Sequence, residues 1–517
     1  MLQLIEEFCK MQIENDPPIT PAELLHKLQA EGHDREESVL SVKRSFVDLT
    51  VEDMCLIIVN EYKKPLIARN ELKRLLILCG YEETAVTQAI FTHYPKSLGY
   101  VLMLDDSASM YSASFMIKID AKAFIDCSRT EDEFGINRFE EIADWVYPSG
   151  SDPSPAVVTE GRGELTAAKS AINSLKTNGN WTDIGAAISL ANSMMEKMTA
   201  DSKAYVLVSD GAYNKGTPPA AVLKNEPPVY IAGLGPYMQR SHFESMLRKN
   251  PKSKFYNSPH SYDMMTVFNQ ILADSSQSLL TLNHREICQG VDYNIQEFSI
   301  SGQGNHSLVN VVWSDDRCHY TADYPNKGKV NLILIDPDNH STSIRPKIVE
   351  GGFCIFDLRN ARPGRWKLLS QYVFDSPVWT TVGAIQTSAP VSVNVAGEQA
   401  VKAGEEPRFT VQVTGAENIC NLKADAVYSC PAIDFQNALA AGEKNTGAEI
   451  DQADTDVCRF PRVQKLASLT ETETGTFQGT ADPVLNRGIV NAHITVTGTY
   501  PDGAPFVANK LHSVFVE

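Results

Sequence analysis

Five oxygen-bearing side chains in three separate segments have the chemistry to hold a hard metal ion. The segments read LDDSASM, NWTDIGAA and VSDGAYN, and the candidate ligands are Asp105, Ser107, Ser109, Thr182 and Asp210. Carboxylate and hydroxyl oxygens suit Mg²⁺ or Mn²⁺. Because hydroxyl ligands neutralise the ion less than a full set of carboxylates would, we expect it to accept a further carboxylate from outside the chain.

The sequence around these residues predicts a sheet that places them at one edge. Between Gly99 and Ser275, short apolar runs alternate with helical stretches. This alternation is typical of a mostly parallel sheet covered by helices on both faces, and such sheets bind ligands at the carboxyl ends of their strands. The expected strands are residues 100–104, 133–139, 204–209 and 229–234, with a weaker candidate at 254–258.

The order of the candidate ligands resembles a known metal site. Asp105-x-Ser107-x-Ser109, followed by Thr182 and Asp210, resembles the metal-ion-dependent adhesion site of von Willebrand factor A (VWA) domains. The runs AKAFID, NWTDIGAAISLA, VLVSDG and VYIAGLG are also similar to this family. The resemblance covers about residues 99–275 and implies a Rossmann-like α/β domain.

The resemblance also implies a role for each of the five residues. Ser107 and Ser109 would coordinate the ion directly, and Thr182 would do so directly or through water. Asp105 and Asp210 would act directly or through waters, and a Glu or Asp of a partner protein would complete the coordination. The last helix of the family can move when this happens, and here that helix would be SYDMMTVFNQILADS.

Three further residues lie in the same loops as the candidate ligands. Asp106 and Asp183 either support the ligands or are solvated, and we expect solvation for an acid beside a ligand. Trp181 either contacts a partner or packs in the core, and we expect it to pack.

The first 95 residues look helical and duplicated. Ile19–Leu24 matches Ile67–Leu72, and Gly32 matches Gly80. Each copy is expected to form three helices, with Thr20 capping the start of a helix in the first copy and Gly32 and Gly80 at helix ends in the two copies. Such a repeat suits either an adaptor that docks a partner or a structural cap on the next domain.

The remainder of the chain has all-β composition. Short alternating segments predict two β-sandwiches in tandem, the second immunoglobulin-like, with a long loop at residues 431–455. GGFCIFDLRNARPGRWKL and GTYPDGAPFVANKLHSVFV resemble the β region of calcium-activated chloride channel regulator-like proteins, without the metalloprotease HExxH motif of the animal regulators. The expected domains are residues 1–95, 97–275, 276–385 and 386–517.

Composition limits the classes of partner and site. The formal net charge is −18, which disfavours nucleic acid as a partner because its phosphates are also negative. No run of about 18 apolar residues suggests a transmembrane helix, and the amino terminus lacks the pattern of a secretion signal. We therefore expect a cytoplasmic protein, with non-standard export left open. None of the ten cysteines forms a CxxC pair, so buried free thiols are expected rather than a zinc cluster.

The sequence favours binding over catalysis. No HxH, HExxH, GxxxxGK[ST] or GxGxxG pattern occurs, so we expect no enzymatic activity. The first hypothesis is protein–protein binding, for adhesion or scaffolding, that depends on Mg²⁺ or else Mn²⁺ or Ca²⁺ and involves a carboxylate of the partner. The alternative is an intracellular assembly or regulatory factor that recruits an AAA+ ATPase or effector through the VWA and helical domains. A third is a structural component of a larger particle.

Overall fold

The computed structural model describes most of the chain, and its contacts divide it into two compact units. The described residues are 19–62, 67, 69–93, 97–211, 213–235, 240–301, 306–359, 361–387, 391–434, 462–501 and 503–517. The first unit is Met1–Lys96 and the second is Ser97–Glu517.

The described part of the first unit is helical, as the sequence predicts. The second copy contributes α3, α4 and α5, of which α4 and α5 correspond to α1 and α2 of the first copy. The remaining helix expected in the first copy lies outside the described residues. The helices are α1 Pro21–Ala30, α2 Arg35–Ser45, α3 Val51–Glu61, α4 Arg69–Leu78 and α5 Glu83–His93.

Local capping explains where these helices begin and end. The Thr20 side chain accepts a hydrogen bond from the Glu23 backbone N–H at 3.3 Å, and the Glu23 carboxylate accepts one from the Thr20 N–H at 2.9 Å. This reciprocal pair satisfies two backbone donors at the helix start. Gly32 and Gly80 follow α1 and α4 with φ of +83° and +87°, a conformation that glycine adopts without steric cost. The predicted cap and both predicted glycine ends are confirmed.

The second unit begins with the predicted α/β sheet. The strand order is β3-β2-β1-β5-β6-β7, with β4 also paired to β2. All pairs among β1, β2, β5, β6 and β7 are parallel, whereas β3 and β4 pair antiparallel to β2 and were not predicted. The strands are β1 Leu98–Asp105, β2 Glu133–Phe139, β3 Ala143–Tyr147, β4 Ala156–Val157, β5 Ser202–Ser209, β6 Val229–Leu234 and β7 Lys254–Ser258.

Helices cover both faces of this sheet. Because successive side chains of a strand point to opposite faces, Tyr100 and Leu102 of β1 pack in different cores from Val101 and Met103. Helices α6 and α11 share the first core, and α8 and α10 share the second. The helices are α6 Ser114–Asp126, α7 Gly163–Asn173, α8 Ile184–Lys197, α9 Pro219–Val222, α10 Arg240–Leu247 and α11 Met264–Ser275.

The first β region, predicted as a β-sandwich, is built from one continuous hydrogen-bonded sheet. Strand β8 runs along nearly the whole of β14, which pairs on its other side with β11 in its first half and with β9 in its second. Both halves contribute to one core. The strands are β8 Leu279–Ile300, β9 His306–Trp313, β10 His319–Tyr320, β11 Lys329–Ile335, β12 Ile348–Glu350, β13 Phe353–Arg359 and β14 Gly364–Thr387.

The second β region consists of two sheets around a shared core. One sheet has the order β15-β17-β21-β20 and the other β16-β23-β22-β18-β19. Most of the loop expected at residues 431–455 lies outside the described residues. The strands are β15 Ser392–Gly397, β16 Ala400–Val401, β17 Arg408–Thr414, β18 Cys420–Pro431, β19 Arg462–Ser468, β20 Thr470–Glu473, β21 Thr476–Thr480, β22 Gly488–Thr499 and β23 Pro505–Val516.

The described cysteines are free thiols, and most are buried. The exceptions are Cys420, which is exposed, and Cys79, which is half-buried. Cys9 and Cys458 lie outside the described residues. Within the described ranges, every helix is too short or too polar to cross a lipid bilayer.

A buried ion cluster joins α11 to the last strand of the chain. The Asp274 carboxylate lies 2.6 Å from Lys510 Nζ and 3.0 Å from Lys254 Nζ. Asp274 and Lys510 are each 6 % exposed. Although burial alone would raise the pKa of Asp274, the two ammonium groups lower it below its usual range. Asp274 is therefore charged in the folded protein and helps to attach β23 to the α/β sheet.

We predict that Asp274→Asn lowers the free energy of unfolding at neutral pH by about 3–5 kcal/mol, because it leaves two lysines without their shared carboxylate. A carboxyl group whose pKa is lower in the folded state stabilises the fold above its unfolded pKa, and this contribution disappears as the pH falls. The unfolding free energy of the unmodified protein should therefore fall more steeply between about pH 5 and pH 3 than that of the variant. Urea titrations at several pH values measure both slopes. Asp375→Asn, at an exposed ion pair, is the control, and equal slopes would contradict the prediction.

Candidate functional site

The candidate site lies where two neighbouring parallel strands end. Asp105 is the last residue of β1, and Asp210 follows directly after β5. The register pairs Leu104 with Val208, so the two acids emerge at the same edge of the sheet. This agrees with the predicted placement at the carboxyl ends of the strands.

Asp105 is buried and is held by neutral donors. Its side chain accepts hydrogen bonds from the Ser107 backbone N–H at 3.0 Å and from the Ser209 hydroxyl at 2.6 Å. The Ser209 hydroxyl in turn accepts one from the Gly211 N–H at 3.0 Å. Burial, and then the negative charge of Asp210, raise the pKa of Asp105 to about 7. A positive ion between the two acids would favour the charged form of Asp105 and so oppose the rise of its pKa.

The two serines of the first segment lie side by side. A turn of 3₁₀-helix at Ala108–Met110 follows Ser107. The hydroxyl oxygens of Ser107 and Ser109 are 3.1 Å apart. Ser107 is buried beside Asp105, whereas Ser109 is half-buried. The structure thus brings Asp105, Ser107 and Ser109 together.

The loop that carries Thr182 is attached to the first segment through backbone hydrogen bonds. Ala108 N–H donates to Gly179 O at 2.7 Å, and Gly179 N–H donates to Asp106 O at 3.1 Å. Thr182, which is buried, donates its backbone N–H to Asn214 Oδ1 at 2.9 Å. All three segments therefore meet at one edge of the sheet. The position of Thr182 is set by the backbone bonds of Gly179 and by the bond to Asn214.

Asp106 is not solvated as expected. It is 2 % exposed and forms an ion pair with Arg138 at 2.8 Å. Its other carboxylate oxygen accepts a hydrogen bond from the Thr177 N–H at 2.6 Å. Asp106 therefore fixes the Thr182 loop against β2 and is balanced by its own cation. Asp183, the other acid expected to be solvated, is half-buried and caps the start of α8 by accepting a hydrogen bond from the Ala186 N–H at 2.8 Å.

Trp181 is also placed differently from the expectation. It is 46 % exposed rather than packed in the core, and the Lys215 ammonium group lies 5.7 Å from the centroid of its ring. Lys215 is also ion-paired with Glu141. Tyr111, two residues after Ser109, is 71 % exposed. Large aromatic side chains thus lie exposed in the loops that carry the candidate ligands.

Sequence reasoning missed two supporting residues of the site. Ser209 is a donor to Asp105, and Asn214 is the acceptor for Thr182. Both lie in the VSDGAYN segment that was already singled out. Ser209 could have been found from the parallel register, which places the end of β5 beside the end of β1. This register is not visible in the sequence of one segment alone.

No protein-family model matches the chain, and no curated protein does either. Similar solved structures include a von Willebrand factor type A protein from Catenulispora acidiphila, with 14 % identity, a TM-score of 0.31, and coverage of 62 % of this chain and 63 % of that one. Proximal thread matrix protein 1 from the mussel byssus has 17 % identity, a TM-score of 0.29, and coverage of 38 % and 50 %. The pilus adhesin SpaC from Lactobacillus rhamnosus GG has 10 % identity, a TM-score of 0.30, and coverage of 81 % and 57 %. The chain thus spans less than two thirds of the length of each of these three proteins.

We predict that Arg138→Met destabilises the protein by about 3–5 kcal/mol, because it leaves the buried Asp106 carboxylate without its cation. Urea unfolding at neutral pH measures the loss. Arg317→Met is the matched control, since Arg317 also pairs with an aspartate but is 83 % exposed, and its loss should stay below about 1 kcal/mol. Similar losses in the two variants would contradict a structural role for the Asp106 pair.

Proposed function

We propose that this protein binds a divalent cation through Asp105, Ser107, Ser109, Thr182 and Asp210, and that the bound ion accepts a carboxylate of a partner protein. The observation that carries the proposal is the buried Asp105, which has Asp210 as its charged neighbour and neutral groups as its donors. The function of the protein would then be adhesion or scaffolding through a VWA-like domain.

The donor chemistry supports Mg²⁺ first, with Mn²⁺ or Ca²⁺ as alternatives. All five side chains offer oxygen, three from hydroxyl groups and two from carboxyl groups. Hard cations prefer oxygen ligands. The two carboxylates balance the 2+ charge of the ion, and the three hydroxyl ligands add no negative charge. An ion held in this way still attracts a third carboxylate, which is the chemistry it would supply to a partner.

The arrangement around the site supports a protein as the partner. Tyr111 and Trp181 are exposed in the loops of the candidate ligands. Aromatic side chains are enriched in the central parts of protein–protein interfaces. A partner loop that presents Asp or Glu to the ion would bury these rings at the same time.

We predict that Asp105→Ala and Ser107→Ala abolish Mg²⁺ binding and leave the protein folded, because the ion lies at the sheet edge and is not needed to close a core. Loss of a residue that only orients a ligand already weakens metal binding by about 10–100-fold, so the loss of a ligand should weaken it by more than about 100-fold. Isothermal titration calorimetry with MgCl₂ measures the affinity, and circular dichroism verifies the fold.

Ser112→Ala is the matched control, because Ser112 lies two residues after the LDDSASM segment and is exposed. It should bind Mg²⁺ as the unmodified protein does. Unchanged Mg²⁺ affinity in both the Asp105 and the Ser107 variants would refute the proposed metal site.

A further inference from the structure

A second cleft lies at the opposite edge of the α/β sheet from the candidate metal site. Its volume is about 970 Å³, and its lining includes Lys203 at the start of β5, Pro228 just before β6 and Lys254 at the start of β7. Parallel strands begin at one edge and end at the other. A ligand in this cleft would therefore not compete with one bound at the carboxyl ends of β1 and β5.

The floor of the cleft has more positive than negative charge. Lys510 and Lys254 share the carboxylate of Asp274, which also accepts hydrogen bonds from Gln270 Nε2 at 2.9 Å and from the Tyr256 hydroxyl. Both Asp274 oxygens are thus occupied by two donors each. An ammonium group has three N–H donors, so one bond to Asp274 leaves two further donors on each of these cleft-lining lysines.

The walls add further lysines in a chain that is acidic as a whole. Lys224 is ion-paired with Glu196, and Lys252 is exposed. Around the cleft five lysines face four acids, whereas the formal net charge of the chain is −18. The lining residues with charge are Glu196, Asp201, Lys203, Lys224, Glu226, Lys252, Lys254, Asp274 and Lys510.

One wall of the cleft is the edge of a strand. Ser392, Val393, Asn394 and Val395, four consecutive residues of β15, all line it. Successive side chains of a strand point to opposite faces of its sheet. A cleft that is bordered by four consecutive residues of β15 therefore runs along the edge of this strand. Among the described strands, β15 pairs with β17 alone. Its other edge therefore presents backbone N–H and C=O groups to the cleft.

We infer that this cleft binds an extended acidic segment of another protein, whose backbone pairs with the free edge of β15 and whose carboxylate reaches Lys254 and Lys510. Addition of a strand to a sheet edge is a common mode of peptide recognition, in which the backbone gives affinity and side-chain contacts give specificity. The acids Glu196, Asp201 and Glu226 on the walls disfavour a highly charged anion such as a polyphosphate. A single carboxylate on an apolar or polar strand suits both the lysines and the edge.

The test uses a fluorescein-labelled peptide of six alternating threonine and valine residues followed by two aspartates and a free carboxyl end. The comparison peptide ends in two lysines and an amide. Fluorescence anisotropy should show the acidic peptide binding at least about 10-fold more tightly, the difference expected from one charge-assisted hydrogen bond. Equal binding of the two peptides, no binding of either, or displacement of the acidic peptide by equimolar inorganic phosphate would overturn the inference.

Variants of the cleft locate the binding. Lys510→Met and Lys252→Glu should each weaken the acidic peptide by about 10-fold or more, whereas the exposed Lys423→Glu, outside the cleft, should not. Lys252→Glu decides the outcome if Lys510→Met unfolds, because Lys252 is exposed. Full affinity in Lys252→Glu would place the peptide elsewhere.

Hydrogen exchange tests the strand pairing separately from the charge. The bound peptide should slow exchange of backbone amides in residues 392–397, and unchanged exchange there would contradict pairing with β15. A chelator distinguishes this cleft from the proposed metal site: binding of the peptide should persist in EDTA, and its loss would mean that the peptide binds through the metal.

Discussion

Parallel pairing of β1 between β2 and β5 determines where the two acids of the candidate site lie. All eight residues of β1 are buried, and alternate residues pack in two different cores. A slip of one residue would therefore exchange the two apolar faces of the strand. Since this register is fixed, the residue that ends β1 is fixed as well, and it is Asp105, beside the end of β5. The position of the two acids is therefore set by sheet packing, and the loops that complete the site are built onto it.

Asp105 and Asp106 are adjacent in sequence but have opposite electrostatic surroundings. Asp106 has Arg138 and the Thr177 N–H as partners, so its charge is balanced within the chain. Asp105, equally buried, has neutral donors and the negative charge of Asp210 nearby. Burial of a carboxyl group beside another acid costs free energy. A cation between the two carboxylates would offset this cost, and that is the role which the proposed metal site gives to them.

Local periodicity carried most of what could be predicted about the fold. The parallel strands were predictable because each is a short, nearly continuous apolar run, and the covering helices were predictable because their apolar residues recur with helical spacing. β3 was missed because ADWVY is a short, half-exposed edge strand without clear alternation. The continuity of the sheet in the first β region was not predicted, because β8 and β14 each run through what looked like several separate segments.

The five candidate ligands could be chosen from the sequence because their residue types and their order along the chain are sufficient to identify them. The partner of Asp106 and the surroundings of Trp181 depend on which strands and loops are neighbours, so their sequence-based placement was wrong. Metal ligation and the four domain boundaries stay predictions.

Buried amide contacts constrain the last helix of the α/β domain, which the sequence presented as a movable lever. Asn269 of α11 accepts a hydrogen bond from Asn310 Nδ2 at 2.8 Å and donates one to Asn283 Oδ1 at 3.2 Å, and Gln270 Oε1 accepts one from the Leu511 N–H at 2.8 Å. Asn269, Gln270 and Asn310 are fully buried. Each broken bond would leave buried polar groups unsatisfied, at a cost of about 1–3 kcal/mol. A ligand that shifted α11 alone would have to supply several kcal/mol from its own binding. Motion that carries β8, β9 and β23 along with the helix avoids this cost, so any conformational signal from the site should reach the β regions directly.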